Sequence, residues 1–184
     1  VINVKQTCAI DVATGRQLWR TEAYWSPEAA AVACCGVVAR GSAPIYNGKL
    51  FRITLDNHLL ALDMKTGKEI WKQKFADYKE GYTATSAPLI ANGVVITGMA
   101  GGEFPTRGFL KGWDPDTGKL LWTRYTVPAP GEPGSETWPT DDDGWKQGGA
   151  PTWRSGAYDP ELDLVYWGTG NPAPWTPGKR KGMD

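Results

Sequence analysis

Three ungapped copies of one short pattern constrain this chain more than any other feature of it. They are Ala9-Ile-Asp-Val-Ala-Thr-Gly-Arg-Gln-Leu-Trp19, Ala61-Leu-Asp-Met-Lys-Thr-Gly-Lys-Glu-Ile-Trp71 and Gly112-Trp-Asp-Pro-Asp-Thr-Gly-Lys-Leu-Leu-Trp122. Each holds a small residue, an apolar residue, Asp, two variable positions, Thr-Gly, three more positions and Trp. A segment read as a degenerate fourth copy, Ala157-Tyr-Asp-Pro-Glu-Leu-Asp-Leu-Val-Tyr-Trp167, keeps the Asp-to-Trp spacing without Thr-Gly. The Asp residues fall at 11, 63, 114 and 159. A period of about fifty residues is that of a propeller blade and exceeds most helical repeats.

The pattern reads physically as a hairpin. Asp opens a turn by accepting backbone hydrogen bonds, and Gly supplies the positive φ that closes it. Apolar residues alternate on both sides, as in Leu60-Ala61-Leu62 and Glu69-Ile70-Trp71. Upstream, Ala43-Pro44-Ile45, Ala87-Pro88-Leu89 and Ala150-Pro151-Thr152 each read as a strand opening, the first two followed by Asn47-Gly48 and Asn92-Gly93. Asn-Gly between apolar runs is a strong hairpin signal. The chain is thus expected to be all-β, a β-propeller of four-stranded antiparallel blades. A Trp fixed at one strand position can lie across the adjacent blade, burying about 150–250 Å² while still donating its indole N–H. The 184 residues suffice for about three to four blades, and propellers close at four to eight. Residues 1–184 therefore read as a partial propeller domain, one that would be unstable if produced alone.

Twenty basic and twenty acidic residues cancel, so no global field favours nucleic acid or an anionic membrane. No basic patch or nucleic-acid module is visible, and no apolar run approaches a membrane span. Cys8 reads as a buried thiol. No CxxC occurs, so neither a zinc ribbon nor a c-type haem site is encoded. Cys34 and Cys35 are adjacent; they read either as two reduced thiols or as a small strained disulfide ring. His58, the only histidine, reads as a surface turn residue, and Asp141-Asp142-Asp143 as a solvated loop.

The Thr-Gly-x-x-x-Trp repeat resembles the tryptophan-docking motif of the PQQ-dependent (quinoprotein) alcohol dehydrogenases, an eight-bladed family. Further residues along nearly the whole chain carry the resemblance: Cys34-Cys35 with Arg40-Gly41; Thr85-Ser86-Ala87-Pro88; Gly98 to Gly108, including Glu103; Gly148 to Trp153; and Tyr166 to Trp175, including Asn171. The resemblance implies that Cys34 and Cys35 form a vicinal disulfide over one face of PQQ, which places the protein in the periplasm. It implies that Arg40 and Thr85 contact PQQ, that Gly101 and Gly102 let the backbone approach it, and that Trp153 is the floor on which it stacks. Thr152 is carried over as the hydroxyl beside that ring. Ala100 stands where some members carry Ser. Glu103 and Asn171 are implied as ligands of Ca²⁺ or a lanthanide, a hard cation that takes oxygen donors.

On this resemblance the chain supplies part of a site that oxidises a primary alcohol to an aldehyde by hydride transfer to the quinone. A periplasmic acceptor such as a cytochrome c would receive the electrons. No catalytic residue is assigned within the chain, because the family's aspartate base falls beyond Asp184. Weaker versions of the repeat occur in outer-membrane assembly propellers, so a non-enzymatic scaffold is the alternative. A PQQ-dependent sugar or polyol dehydrogenase is a further one.

Overall fold

The aspartates that open the repeats decide where the chain folds back. The computed structural model describes residues 1–34, 36–40, 43–138 and 143–174. In it the Asp11, Asp63 and Asp114 carboxylates accept the backbone N–H of Thr14, Thr66 and Thr117 at 2.8, 2.7 and 2.7 Å. The hydroxyls of the same threonines donate to the same carboxylates. Gly15, Gly67 and Gly118 follow at φ of 71°, 72° and 70°, a left-handed conformation that costs glycine nothing.

Twelve strands result among the described residues. β1 (Gln6–Ile10) and β2 (Gln17–Glu22) form a hairpin. β3 (Ile45–Tyr46), β4 (Lys49–Ile53), β5 (His58–Asp63) and β6 (Glu69–Lys74) form one four-stranded meander. β7 (Leu89–Ala91), β8 (Val94–Thr97), β9 (Phe109–Trp113) and β10 (Leu120–Tyr125) form a second, and β11 (Ala157–Asp159) pairs with β12 (Leu164–Tyr166). Two complete blades are therefore flanked by a half-blade on each side. Asn47 and Asn92, at φ of 47° and 43°, make the tight turns β3–β4 and β7–β8. Among the described residues no helix is long and apolar enough to cross a membrane.

Strand register explains the small residue that begins each repeat. Trp19 lies opposite Ala9, Trp71 opposite Ala61 and Trp122 opposite Gly112. A Cβ on Gly112 would fall 2.2 Å from the Trp122 ring. The Trp19 indole N–H then donates to the Met64 carbonyl at 3.1 Å, and that of Trp71 to Pro115 at 3.2 Å. Each ring rests on the Gly of the next blade's turn, Gly67 or Gly118. Between the complete blades, Phe51, Leu59, Val95, Met99, Phe109 and Trp113 share one buried cluster. Phe75 meets the rings of Phe109 and Trp113 edge-on, with centroids 6.4 Å apart in both pairs.

The fourth segment is not a tryptophan-docking hairpin. Trp167 donates back to Thr152 of its own segment at 3.3 Å, and β11 packs against β7, the first strand of the preceding blade. Residues 157–167 are thus the first hairpin of their blade, in the place of β3–β4 and β7–β8. Asp163, at φ 52°, takes the left-handed turn position. Ala150-Pro151-Thr152 opens no strand, because the Thr152 hydroxyl is drawn inward between Met99 N–H and the Phe109 carbonyl, at 3.0 and 2.6 Å.

Two other expectations are corrected. Cys8 is half-buried, not buried. His58 opens β5 with its side chain only 22% exposed and Nδ1 3.1 Å from Asp56; it is no surface turn residue. Asp143 is exposed, while Asp141 and Asp142 lie outside the described residues.

Candidate functional site

The stretch after β8 is glycine-rich because there is no room for side chains along it. A Cβ on Gly98 would fall 2.3 Å from the Thr152 carbonyl oxygen. On Gly102 it would fall 2.6 Å from Pro151, and on Gly101, at φ 123°, 2.2 Å from the Gly81 carbonyl oxygen. The segment is thereby pressed against Pro151 and Thr152 of the next blade and against Gly81. Gly170 makes the same approach from the other side, its Cβ position 3.0 Å from the Trp153 indole nitrogen.

These segments enclose a cavity of about 220 Å³. Cys34, Arg40, Thr85, Gly101, Gly102, Glu103, Trp153 and Asn171 are all on its lining. Eight of the residues singled out in the sequence thus meet at one place. Thr152 does not line it: the residue is fully buried behind the wall, its hydroxyl committed to the two backbone groups described above. Cys35 and Gly41 lie outside the described residues, as do Trp175 and everything after it. Ala100, Pro151 and Gly170 complete the lining. Pro151 and Gly170 went unassigned in the sequence, although the Ala-Pro repeat and the Gly-Thr-Gly run both marked their segments.

Arg40 is fixed by Thr85. Its backbone N–H donates to the Thr85 carbonyl and Nη1 to the Thr85 hydroxyl, both at 2.6 Å. That leaves its guanidinium carbon 5.4 Å from the centre of the Trp153 ring, while that of Arg154 is 4.7 Å away. Two guanidiniums within reach of one indole make a platform that is aromatic and cationic together.

Glu103 and Asn171 are both exposed, as rim residues would be, and one glycine ties their loops. Gly149 pairs in parallel with Arg107 and antiparallel with Pro172. Its N–H donates to Thr106 at 2.9 Å and its carbonyl accepts from Gly108 at 2.7 Å, while Ala150 N–H donates to the Asn171 carbonyl at 2.9 Å. A Cβ on Gly149, at φ 69°, would fall 2.8 Å from the Asn171 carbonyl oxygen. Among the described residues no group of three or more His, Cys, Asp or Glu side chains could hold a metal. The lining includes one carboxylate, that of Glu103, and one side-chain amide oxygen, that of Asn171, both hard donors.

The family model for the glucose/ethanol/alcohol dehydrogenase β-propeller domain (PQQ) matches residues 2–184. The chain belongs to the PQQ-dependent alcohol dehydrogenase family. The quinoprotein alcohol dehydrogenase PedH of Pseudomonas putida is 44% identical over 191 residues, covering 95% of this chain and 31% of the relative. The lanthanide-dependent methanol dehydrogenase of Methylacidiphilum fumariolicum is 43% identical over 184 residues, covering 90% and 30%. A solved europium-containing methanol dehydrogenase superposes with a TM-score of 0.90 at 38% identity, covering 100% of this chain and 35% of that one. This quinoprotein chain therefore spans about a third of the length of such relatives. BamB from Moraxella catarrhalis, 17% identical with a TM-score of 0.58, shares the fold alone.

Proposed function

We propose that the protein carrying this chain oxidises a primary alcohol to an aldehyde with PQQ and a hard cation, and that the chain forms one side of the cofactor site. The convergence of Arg40, Glu103, Trp153 and Asn171 on one cavity carries the reading. The donor set suits a flat, polyanionic ring system. Trp153 offers the stacking plane, Arg40 a planar fork for a carboxylate or quinone oxygen, and the Gly101-Gly102 wall close backbone approach. When bound, PQQ with its cation supplies the electrophilic carbon that accepts hydride.

The chain's own residues orient and neutralise. Thr85 aims Arg40, and Glu103 and Asn171 offer a carboxylate and an amide oxygen to the cation. A cation of the calcium type takes six to eight oxygens, so the ring system and other parts of the protein supply the remainder. Glu103 is the acidic residue on the lining and is committed to the cation. The base that takes the hydroxyl proton is an aspartate elsewhere in the protein. Cys34 is on the same lining, and its pairing with Cys35 as a disulfide over the other face of the ring system belongs to the same proposal, as does a periplasmic location. A cytochrome c is the proposed acceptor; one relative, from Paracoccus denitrificans, is named methanol dehydrogenase (cytochrome c) subunit 1.

The test is alcohol-dependent reduction of an artificial acceptor by the complete protein, with PQQ and with Ca²⁺ or La³⁺ added separately and together. Turnover is expected only with both, and with simple alcohols ahead of polyols and sugars. No turnover across the panel sinks the proposal. Glu103→Ala should weaken cation binding by about 100-fold, since even indirect supporting residues are worth 10–100-fold; unchanged binding removes Glu103 from the site.

A further inference from the structure

Arg107 stands four residues beyond Glu103 and is outside the cavity lining, yet it is held more firmly than either rim residue. Its side chain is 11% exposed. The guanidinium carbon lies 3.8 Å from the centre of the Tyr125 ring and 4.6 Å from that of Trp145. Nε and Nη2 both donate to the Val127 carbonyl, at 2.8 and 2.6 Å, and Nη2 reaches Glu132 at 3.4 Å. The Arg107 backbone N–H donates to the Tyr82 hydroxyl at 3.1 Å. Its main chain is also the partner of Gly149, the glycine that joins the Glu103 loop to the Asn171 loop.

Arg107 thus belongs to two structures. Its side chain anchors the long excursion that leaves β10 and returns at Gly148, and its main chain holds the junction under both rim residues. We infer that Arg107 is a positioning residue for the cation, setting the separation of Glu103 and Asn171 from behind. The inference rests on the reading of those two residues as cation ligands. Lysine cannot replace it fully, because only a planar fork can stack on an aromatic ring and give two N–H groups to one carbonyl. Contacts behind a metal ligand set how well it is held in place for the cation, so loosening the junction acts on affinity without removing a donor.

The experiment is a Eu³⁺ titration of the PQQ-loaded complete protein, read by metal luminescence well below the unfolding temperature. Wild type is compared with Arg107→Gln, Arg107→Lys and Glu103→Gln, and thermal unfolding of each metal-free protein is recorded separately. Arg107→Gln should weaken Eu³⁺ binding about tenfold, with partial recovery in Arg107→Lys. A lowered unfolding temperature with wild-type Eu³⁺ affinity overturns the positioning role. If Arg107→Gln does not fold, Trp145→Leu, which removes one stacking face, carries the same expectation, and unchanged affinity there overturns it equally. Glu103→Gln separates the two levels: wild-type affinity in that variant defeats the cation reading itself.

Discussion

Asp56 sits inside the turn between β4 and β5, 5% exposed. Its carboxylate accepts the Thr54 hydroxyl at 2.6 Å and the Ser26 backbone N–H at 3.0 Å, with His58 Nδ1 at 3.1 Å. Burial pushes its pKa up, but the bonds to His58, Thr54 and Ser26 outweigh burial and hold it at about 2. An unfolded aspartate titrates near ~3.9, so the folded state binds this proton less tightly. The stability it contributes is complete above that value and is lost as pH falls toward the folded one. Asp56→Asn should flatten the acid limb of stability between about pH 4 and pH 2, measured as denaturant midpoints across that range; an unaltered slope would assign the limb to other carboxylates. The sequence shows Asp56-Asn57-His58 as a surface turn. One of the bonds that hold it comes from Ser26, thirty positions earlier, and no local pattern encodes that partner. The Arg40–Thr85 pair was hidden for the same reason, although both residues were legible singly.

At the scale of elements, the hairpin that carries each tryptophan is the unit of cohesion. Trp71 covers Ala61 within its blade and Gly118 in the next, and its N–H closes the joint. Trp71→Ala in the complete protein should cost about 2–3 kcal/mol, below the ~3–5 of a fully buried aromatic because the ring is only half-buried. Chemical denaturation measures it, and a loss under about 0.5 kcal/mol, the range of ordinary surface changes, would deny the ring its joining role. Three repeats located these hairpins and their turns from sequence alone, since Asp, Thr and Gly act locally. The segment at 157–167 misled because an Asp-to-Trp distance looks the same whichever way the ring faces. Trp167 turns back to its own chain, and only the packing of β11 on β7 reveals which hairpin it is.

For the whole molecule, ligand and architecture are linked. Cys34, Arg40, Thr85, residues 100–103, Pro151, Trp153, Gly170 and Asn171 all reach the cavity, so a ligand seated there binds the folded state and not the unfolded chain. Adding PQQ and cation should stabilise the complete protein by about 2.7 kcal/mol at a hundred times Kd, so that its unfolding temperature rises with ligand concentration. Calorimetry would show it. Trp153→Ala should abolish most of the rise; an undiminished rise would place the ligand elsewhere. The residues that line the cavity were legible through the family resemblance, carried by an arginine near adjacent cysteines, a glutamate after a glycine run and an asparagine before Pro172; residue type alone would have left Glu103 on the surface and Asn171 in a turn. Thr152 was misplaced because a hydroxyl that faces a ligand and one that ties two strands leave the same trace.

Gly149 carries a consequence for how such a protein comes into being. A residue without a side chain is one of the places where two successive sheets grip each other, and it ties together the two loops that carry the rim of the cavity. Until that tie is made a growing polypeptide presents an indole and a carboxylate to solvent with nothing between them to hold. A flat ligand seated across that rim would therefore require neighbouring sheets to have stacked in the right order first.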